Sequence, residues 1–319
     1  MKVNKCYKYV LSLGHLYSDI NQSILSAVLP FLIATYHYDY TTAAMLVTVS
    51  NVFGAFVQPF IGMLSGKKNK LLYMTLGVLL ASGGMVVTGF ISNFFGLCIA
   101  VIMSGIGVAM FHPQAAKLIN SVSSKNAKGK GMSIFSFGGK VGFTLGPVYT
   151  AFLMNLFGMK GTILFLIPGI VFGIVCSFFN KDFENLDVLE VEKKEEVKSE
   201  QKDDWSGFIK LCGVVFSRSI LSNGISTFLA FYFIQQFSKP NSFASMLLSV
   251  FYGIGSITLL GGGIADCFGH RKMVRLSFCI FLPAIFIFTN TSHFVIALIM
   301  LIFMTCGESL SYSPMVVLG

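Results

Sequence analysis

Apolar stretches and short polar breaks alternate along almost the whole chain. Each stretch is about 20 residues or longer, the length at which an α-helix crosses about 30 Å of hydrocarbon. The pattern therefore predicts ten transmembrane helices, at about 9–36, 41–64, 71–90, 94–118, 131–157, 161–180, 207–236, 242–265, 272–290 and 293–319.

Segment 181–206 interrupts this alternation. It has almost no apolar periodicity and carries ten of the fourteen acidic residues of the chain. Such a stretch cannot bury enough apolar surface to fold by itself. We expect a solvated, partly disordered linker that separates a six-helix bundle at 1–180 from four helices at 207–319.

Composition indicates the same class of protein. Hydrophobic residues make up 54% of the chain, charged residues make up 12%, and the mean hydropathy is +0.75. A soluble globule needs more polar surface than this chain supplies. We therefore expect an all-α polytopic membrane protein with the lipid bilayer as a partner.

Cations mark one side of the predicted topology. Basic clusters precede the first helix and follow the second, fourth and eighth helices: Lys2, Lys5 and Lys8; Lys67, Lys68 and Lys70; Lys125, Lys128 and Lys130; Arg271, Lys272 and Arg275. The positive-inside rule places the N-terminus and segment 181–206 in the cytoplasm. The net charge of +9 then reflects topology, and we expect no nucleic-acid partner.

Cysteine spacing and known catalytic motifs give no sign of an enzyme. The seven cysteines lack CxxC or His–Cys spacing, so neither a disulfide framework nor a zinc site is indicated. The chain also lacks a phosphate-cradling motif. We expect no enzyme, metal or cofactor, with a polytopic membrane enzyme kept as an alternative.

Two polar breaks look like copies of one motif. FIGMLSGKKNK at 60–70 and GGGIADCFGHRK at 261–272 align Gly62 with Gly262, an offset of 200. The same register brings Pro113 near Pro314, an offset of 201. We infer a duplication, as in transporters whose two similar halves rock around a central site. The second half then lacks two helices, and we expect a truncated C-terminal part.

Acidic residues inside the predicted helices are candidates for ion movement. Four acids lie outside segment 181–206: Asp19, Asp39, Asp266 and Glu308. Asp39 falls in a predicted external loop, whereas Asp19 and Glu308 fall inside helices. A carboxylate at mid-bilayer costs about 2.5–3.5 kcal/mol, so such residues usually face a cavity and move ions or protons. A polar stripe at helical spacing predicts a water-filled pathway and comprises Ser12, His15, Asp19, Gln22 and Ser26.

Arg218 in the seventh helix lies near the position that corresponds to Asp19 in the other repeat. An acid that faces a cation across the two repeats forms a pair that protonation or an anionic substrate can break. We hypothesise that Asp19 carries a proton and that Arg218 provides an anion or countercharge site. The alternative is a pair that only stabilises a packed bundle.

Two further polar residues in predicted helices are candidates for the same pathway. His112 precedes Pro113, whose ring bends or unwinds a helical turn, but a histidine there can also be hydrogen-bonded in a core. Lys140 adds a charge to the pathway or reaches back to the cytoplasmic surface.

The second copy of the repeated motif resembles the loop signature of the major facilitator superfamily. This resemblance implies a fold of two pseudo-repeated six-helix halves and a cytoplasmic latch between conformations. The latch residues would be Gly262, Asp266, Gly269 and Arg271, with Gly62 in the first copy. The first copy has Gly66 in place of the acid and Asn69 in place of a glycine.

Three further stretches resemble the bacterial fosmidomycin resistance family, a drug-efflux branch: LGHLYSDINQSILSAVLPFL at 13–32, AMFHPQAAK at 109–117 and FSFGGKVGFTLGP at 135–147. The resemblance implies proton-driven export of a drug or metabolite across a bacterial cytoplasmic membrane, with no cofactor beyond the proton gradient. Gly142, Gly146 and Pro147 also resemble part of an antiporter signature, with Ser133 and Thr150 in place of its outer glycines. Close helix packing explains the same residues.

Other functions fit parts of this pattern. A proton-coupled uptake symporter for a small organic anion would use Arg218 equally well. A non-transporting membrane scaffold is a further alternative. In each case we expect a monomer.

Overall fold

A computed structural model describes residues 6–64, 70–122, 128–192, 205–257 and 268–310. These ranges form ten α-helices: α1 Cys6–Tyr36, α2 Tyr40–Leu64, α3 Lys70–Val87, α4 Phe94–Val122, α5 Lys128–Phe157, α6 Leu166–Glu192, α7 Trp205–Phe237, α8 Asn241–Ile257, α9 His270–Asn290 and α10 Phe294–Leu310. A 3-10 segment, Gly158–Phe165, joins α5 to α6. The described ranges contain no strand, so the predicted all-α class is confirmed.

Six regions within the described ranges are long and apolar enough to cross a membrane: Tyr7–Tyr36, Tyr40–Met63, Phe94–Ile119, Gly131–Phe179, Trp205–Phe237 and Arg271–Asn290. The fourth region runs through α5, the 3-10 segment and α6. Two shorter apolar helices, Leu71–Val87 and Phe294–Leu310, lie in α3 and α10. The count of ten transmembrane helices stays a prediction.

The chain divides into two compact units, Met1–Val197 and Lys198–Gly319. The division falls inside the predicted linker 181–206. Helix α6 continues to Glu192, so the first part of the predicted linker is helical. Glutamate and leucine favour helices, and lengthening an existing helix adds one hydrogen bond per residue without a new nucleation cost.

Helix α1 is the most buried membrane-spanning candidate of the first unit. It packs against α5, α4, α3 and α6. Leu11 of α1, Phe111 of α4 and Phe172 of α6 are fully buried in one apolar cluster. Because lipid is as apolar as these side chains, close van der Waals packing holds such helices together. The buried polar residues of α1 that lie in the interior of this unit include Ser18, Asp19, Asn21, Ser23 and Ser26.

Three glycines of α5 create the closest helix approach to α1. A Cβ atom at Gly138 would contact the backbone oxygen of Ser12, and one at Gly142 would contact that of Leu16. A Cβ atom at Gly146 would contact the Ser23 hydroxyl. Their spacing of four residues forms a groove for the neighbouring backbone. Close packing of α5 on α1 is thus the alternative to the antiporter interpretation of Gly142, Gly146 and Pro147. Pro147 lies inside α5.

Candidate functional site

A carboxylate between two histidines lies inside the first unit. Asp19 and His15 are one turn apart on α1, and His112 comes from α4. The His15 Nε2 atom is 3.2 Å from Asp19 Oδ2, and the His112 Nε2 atom is 3.4 Å from Asp19 Oδ1. The Asp19 side chain is only 5% exposed. We call these three residues the His–Asp–His cluster.

Helix α5 fixes the orientation of His15. The Nδ1 atom of His15 is 2.8 Å from the backbone oxygen of Phe135. A carbonyl oxygen only accepts hydrogen bonds, so Nδ1 carries the proton and donates it. The Phe135 ring stacks on the imidazole with a centroid distance of 4.0 Å. These contacts leave Nε2 directed at Asp19.

Glycines on α5 allow α1 side chains to reach backbone oxygens of α5. Ser12 Oγ donates to the oxygen of Ile134 at 2.8 Å, next to the Phe135 oxygen that His15 uses. A Cβ atom at Gly139 would lie 2.5 Å from Asp19 Oδ2 and 2.6 Å from a ring carbon of His15. An alanine at this position therefore displaces the His15–Asp19 pair.

One oxygen of the cluster has no hydrogen bond. Among the described residues, Asp19 Oδ1 is a fully buried polar atom with no partner in hydrogen-bond geometry, although His112 lies nearby. An unsatisfied polar atom in a bilayer interior costs several kcal/mol. The carboxylate is therefore a natural place for a proton or another cation. The three side chains also offer nitrogen and oxygen atoms within 4.8 Å of one another, a set that could hold a metal ion.

The remaining members of the polar stripe are placed differently. Ser26 is buried and Gln22 is exposed, whereas Ser12 bonds to α5. Lys140 of α5 is close enough to His15 to act on it electrostatically. Of the predicted pathway residues in the first unit, the structure thus brings His15, Asp19 and His112 into contact.

The second unit contains a buried ion pair. Arg218 of α7 donates from its guanidinium to the Glu308 carboxylate of α10, and the two side chains are 14% and 9% exposed. The Arg218 Nε and Nη2 atoms also lie 3.4 Å from the backbone oxygen of Glu308. Ser309 Oγ donates to the second carboxylate oxygen at 3.2 Å. The sequence had suggested Asp19 as the countercharge of Arg218, and that pairing between units stays a prediction.

The predicted latch is described only in part. Gly262 and Asp266 lie outside the described residues. Gly269 precedes α9 with a φ of +89°, a conformation that favours glycine, and Arg271 is exposed in the first turn. In the first copy, the backbone oxygen of Gly62 accepts a hydrogen bond of 2.7 Å from Lys117 Nζ. This contact joins the ends of α2 and α4.

Sequence reasoning missed the role of Phe135. Its contribution comes from a backbone oxygen, which no residue type reveals. Gly139 enters the sequence analysis only within the stretch FSFGGKVGFTLGP at 135–147. The sequence does contain one signal for this contact, the adjacent glycines Gly138 and Gly139. A helix exposes its backbone to a neighbouring helix where it has glycine.

Comparison with known proteins places the chain among transporters. The sequence profile described as Major Facilitator Superfamily matches residues 11–319. The chain is 22% identical over 269 residues to the fosmidomycin resistance protein of Escherichia coli (strain K12). The aligned region covers 83% of this chain and 66% of that protein. It therefore spans about two thirds of that relative's length.

Two further comparisons concern an efflux pump and a solved structure. A multi-drug resistance efflux pump of Streptococcus pneumoniae is 27% identical over 148 residues, 44% of this chain and 36% of the pump. The crystal structure of a D-xylose–proton symporter matches with a TM-score of 0.74 at 15% identity and covers 97% of this chain and 80% of that chain. At this identity the symporter supports the fold alone.

Proposed function

Because the chain belongs to the Major Facilitator Superfamily, we propose that it is a secondary active transporter that exports a drug or small organic metabolite in exchange for protons. The resemblance inferred from the loop signature is confirmed, and the family consists of multi-pass membrane proteins that are not enzymes. The proton gradient serves as the energy source, without a cofactor. The transporter lies in a bacterial cytoplasmic membrane as a monomer, with the N-terminus and the linker in the cytoplasm.

The observation that carries this proposal is the His–Asp–His cluster. Asp19 is buried in a helix that is long and apolar enough to span a bilayer. An ionised carboxylate is costly at such a position, and protonation removes that cost. Residues of this kind mark proton relays in membrane transporters. Proton uptake and release at Asp19 would therefore couple transport to the proton gradient.

Export is supported by the names of two relatives. One is a fosmidomycin resistance protein and the other is a multi-drug resistance efflux pump. The residues Gly142, Gly146 and Pro147 agree with an antiporter but are equally explained by the packing of α5 on α1. Export of a drug or metabolite is consequently the favoured direction.

A second candidate function is uptake of a small organic anion together with protons. The buried Arg218–Glu308 pair favours this candidate, because protonation of Glu308 would leave a buried cation for an anionic substrate. The two functions differ in the expected effect on substrate accumulation. An exporter lowers the amount of compound in the cell, and a symporter raises it.

Drug susceptibility and accumulation in an efflux-deficient bacterium test the proposal. The whole chain is expressed as the parent, as Asp19→Asn and as Asp39→Asn. Asp39 is the matched control, because it is an exposed acid between α1 and α2 and asparagine caps a helix equally well. We expect the parent and Asp39→Asn to raise resistance and lower accumulation, whereas Asp19→Asn does neither.

Other outcomes discriminate clearly when membrane levels of the three proteins are equal. Resistance that persists in Asp19→Asn removes the proton role of Asp19. Accumulation that rises with expression supports the anion symporter. If no version changes susceptibility or accumulation of any compound, the export proposal is wrong.

A further inference from the structure

The contacts of His15 point to the position of the coupling proton. We propose that one proton is shared between His15 Nε2 and Asp19 Oδ2, and that the backbone oxygen of Phe135 controls whether the pair keeps it. The location of the proton follows from geometry alone. Its part in transport rests on the proposed function.

The first step concerns the tautomer of His15. Its Nδ1 atom lies 2.8 Å from the Phe135 oxygen and must donate, because that oxygen carries no hydrogen. Neutral imidazole has a single N–H group. In a neutral His15 held in this way, the Nε2 atom is therefore a bare acceptor.

The second step concerns the contact that Nε2 makes. It faces Asp19 Oδ2 at 3.2 Å, and an ionised carboxylate is also only an acceptor. Two acceptors at this distance in a buried site repel each other unless a hydrogen lies between them. The pair therefore contains one proton more than neutral histidine and ionised aspartate have, either as imidazolium with carboxylate or as imidazole with carboxylic acid.

Other charged groups near the pair belong to α4 and α5. In the part of the chain that the structure describes, His112 contacts the second oxygen of Asp19, and its ring centroid lies 5.2 Å from that of His15. Lys140 acts on His15 from α5. Both forms of the pair are neutral overall, so these groups act on the position of the proton and not on the net charge. A positive Lys140 opposes the imidazolium form, whereas a positive charge on His112, which contacts Asp19 Oδ1, stabilises the carboxylate. These opposing effects favour a proton shared between Nε2 and Oδ2.

The third step links the proton to the contact between α1 and α5. When Phe135 moves away from His15, the Nδ1 atom no longer has to donate. The Nδ1 proton then leaves to water, while the Nε2 hydrogen stays as a bond to the Asp19 carboxylate. The balance is one proton released and one hydrogen bond retained. Separation of α5 from α1 therefore lowers the proton affinity of the pair, and Phe135 is a positioning residue.

Histidine NMR tests the location of the proton without a transport assay. The chain has five histidines, so ¹⁵N labelling of histidine gives a spectrum that single His→Gln variants assign. In the purified full chain near neutral pH, we expect His15 to carry hydrogen on Nδ1 and to share a second hydrogen at Nε2. In Asp19→Asn the side-chain amide donates to Nε2, so His15 becomes neutral and keeps only the Nδ1 hydrogen. Asp39→Asn keeps the parent spectrum.

A second pair of variants tests the role of the helix contact. Gly139→Ala places a methyl group against His15 and Asp19, whereas a methyl group at Gly83 of α3 meets open space. We expect Gly139→Ala to lose the hydrogen on Nδ1 of His15, to keep the hydrogen on Nε2, and to shift the pH midpoint of resistance downward by roughly one unit, a tenfold change in proton affinity. Gly83→Ala leaves both unchanged.

Several results overturn the inference. A neutral His15 with hydrogen on Nε2 and a bare Nδ1 in the parent protein contradicts the geometry. So does a stoichiometric metal ion in the purified protein that His112→Gln removes, because a metal would then replace the proton. An unchanged spectrum in Gly139→Ala refutes control by α5. If the spectra agree but Asp19→Asn still exports drug, the proton location stands and the proposed function fails.

Discussion

Replacement of Glu308 by glutamine tests the buried ion pair of the second unit. The substitution keeps the size of the side chain and removes its charge. Arg218 stays positive, because a guanidinium group is not deprotonated in proteins. The side chains are 14% and 9% exposed, so water cannot take the place of the lost carboxylate. The variant therefore contains a buried cation that has lost the opposite charge of Glu308.

The size of the effect follows from this burial. Two unit charges about 4 Å apart interact by about 4 kcal/mol at an effective dielectric constant of 20. Removal of one partner of a buried pair costs about 3–5 kcal/mol. The contacts of Arg218 with the backbone oxygen of Glu308 at 3.4 Å survive the substitution. We expect Glu308→Gln to lose about 3 kcal/mol in the free energy of unfolding, at the lower end of that range.

Thermal unfolding of the purified chain in detergent measures this loss. A decrease of about 3 kcal/mol lowers the melting temperature by roughly 6 °C in a chain of this size. The double variant Arg218→Met with Glu308→Gln recovers most of the loss, because no buried charge remains. Equal melting temperatures of Glu308→Gln and the parent would refute the reasoning. So would a double variant less stable than the single one.

Three further predictions concern residues near helix ends. Hydrogen bonds from the Thr42 side chain and backbone lower the pKa of Asp39. At pH values above the ordinary Asp pKa of about 3.9, this carboxylate therefore stabilises the start of α2. The stabilisation is lost as the pH falls through the lower pKa that Asp39 has in the folded protein. Hydrogen exchange of the backbone amides in the first turn of α2 measures this loss. Gly269→Ala forces a positive φ on alanine and should cost about 1 kcal/mol in thermal unfolding, whereas Gly62→Ala meets open space and should cost less. Lys117→Met removes the bond to the Gly62 oxygen and should increase proteolysis or hydrogen exchange at the end of α2.

Hydrophobic pattern was a good guide to the helices. The predicted bounds of the first span, 9–36, compare with Cys6–Tyr36 for α1, and those of the ninth, 272–290, compare with His270–Asn290 for α9. Helix length and apolar composition are local properties, so a single sequence reveals them. The end of α6 was missed because apolar periodicity does not report the helix propensity of a charged stretch.

In the candidate site, too, the sequence predicts contacts between residues that are close along the chain but not between residues that are distant. His15 and Asp19 are four residues apart, and helical spacing alone puts them on one face. The partners His112 and Phe135 are distant in sequence, and the pairing of Arg218 with Glu308 spans 90 residues. Sequence reasoning identified His112, Arg218 and Glu308 without their contacts and did not identify Phe135. It proposed Asp19 as the partner of Arg218 from the symmetry of the repeat, and that pairing stays a prediction.

The amino-acid sequence by itself determined the membrane class, the all-α architecture and the presence of rare ionisable groups within apolar helices. These follow from local composition and periodicity, since a bilayer requires every spanning backbone to satisfy its own hydrogen bonds. Only the tertiary structure decided which nitrogen of His15 donates, because that depends on a backbone oxygen of α5. Close approach at Gly138 and Gly139 brings that oxygen within reach, and helix packing is a long-range property of the fold.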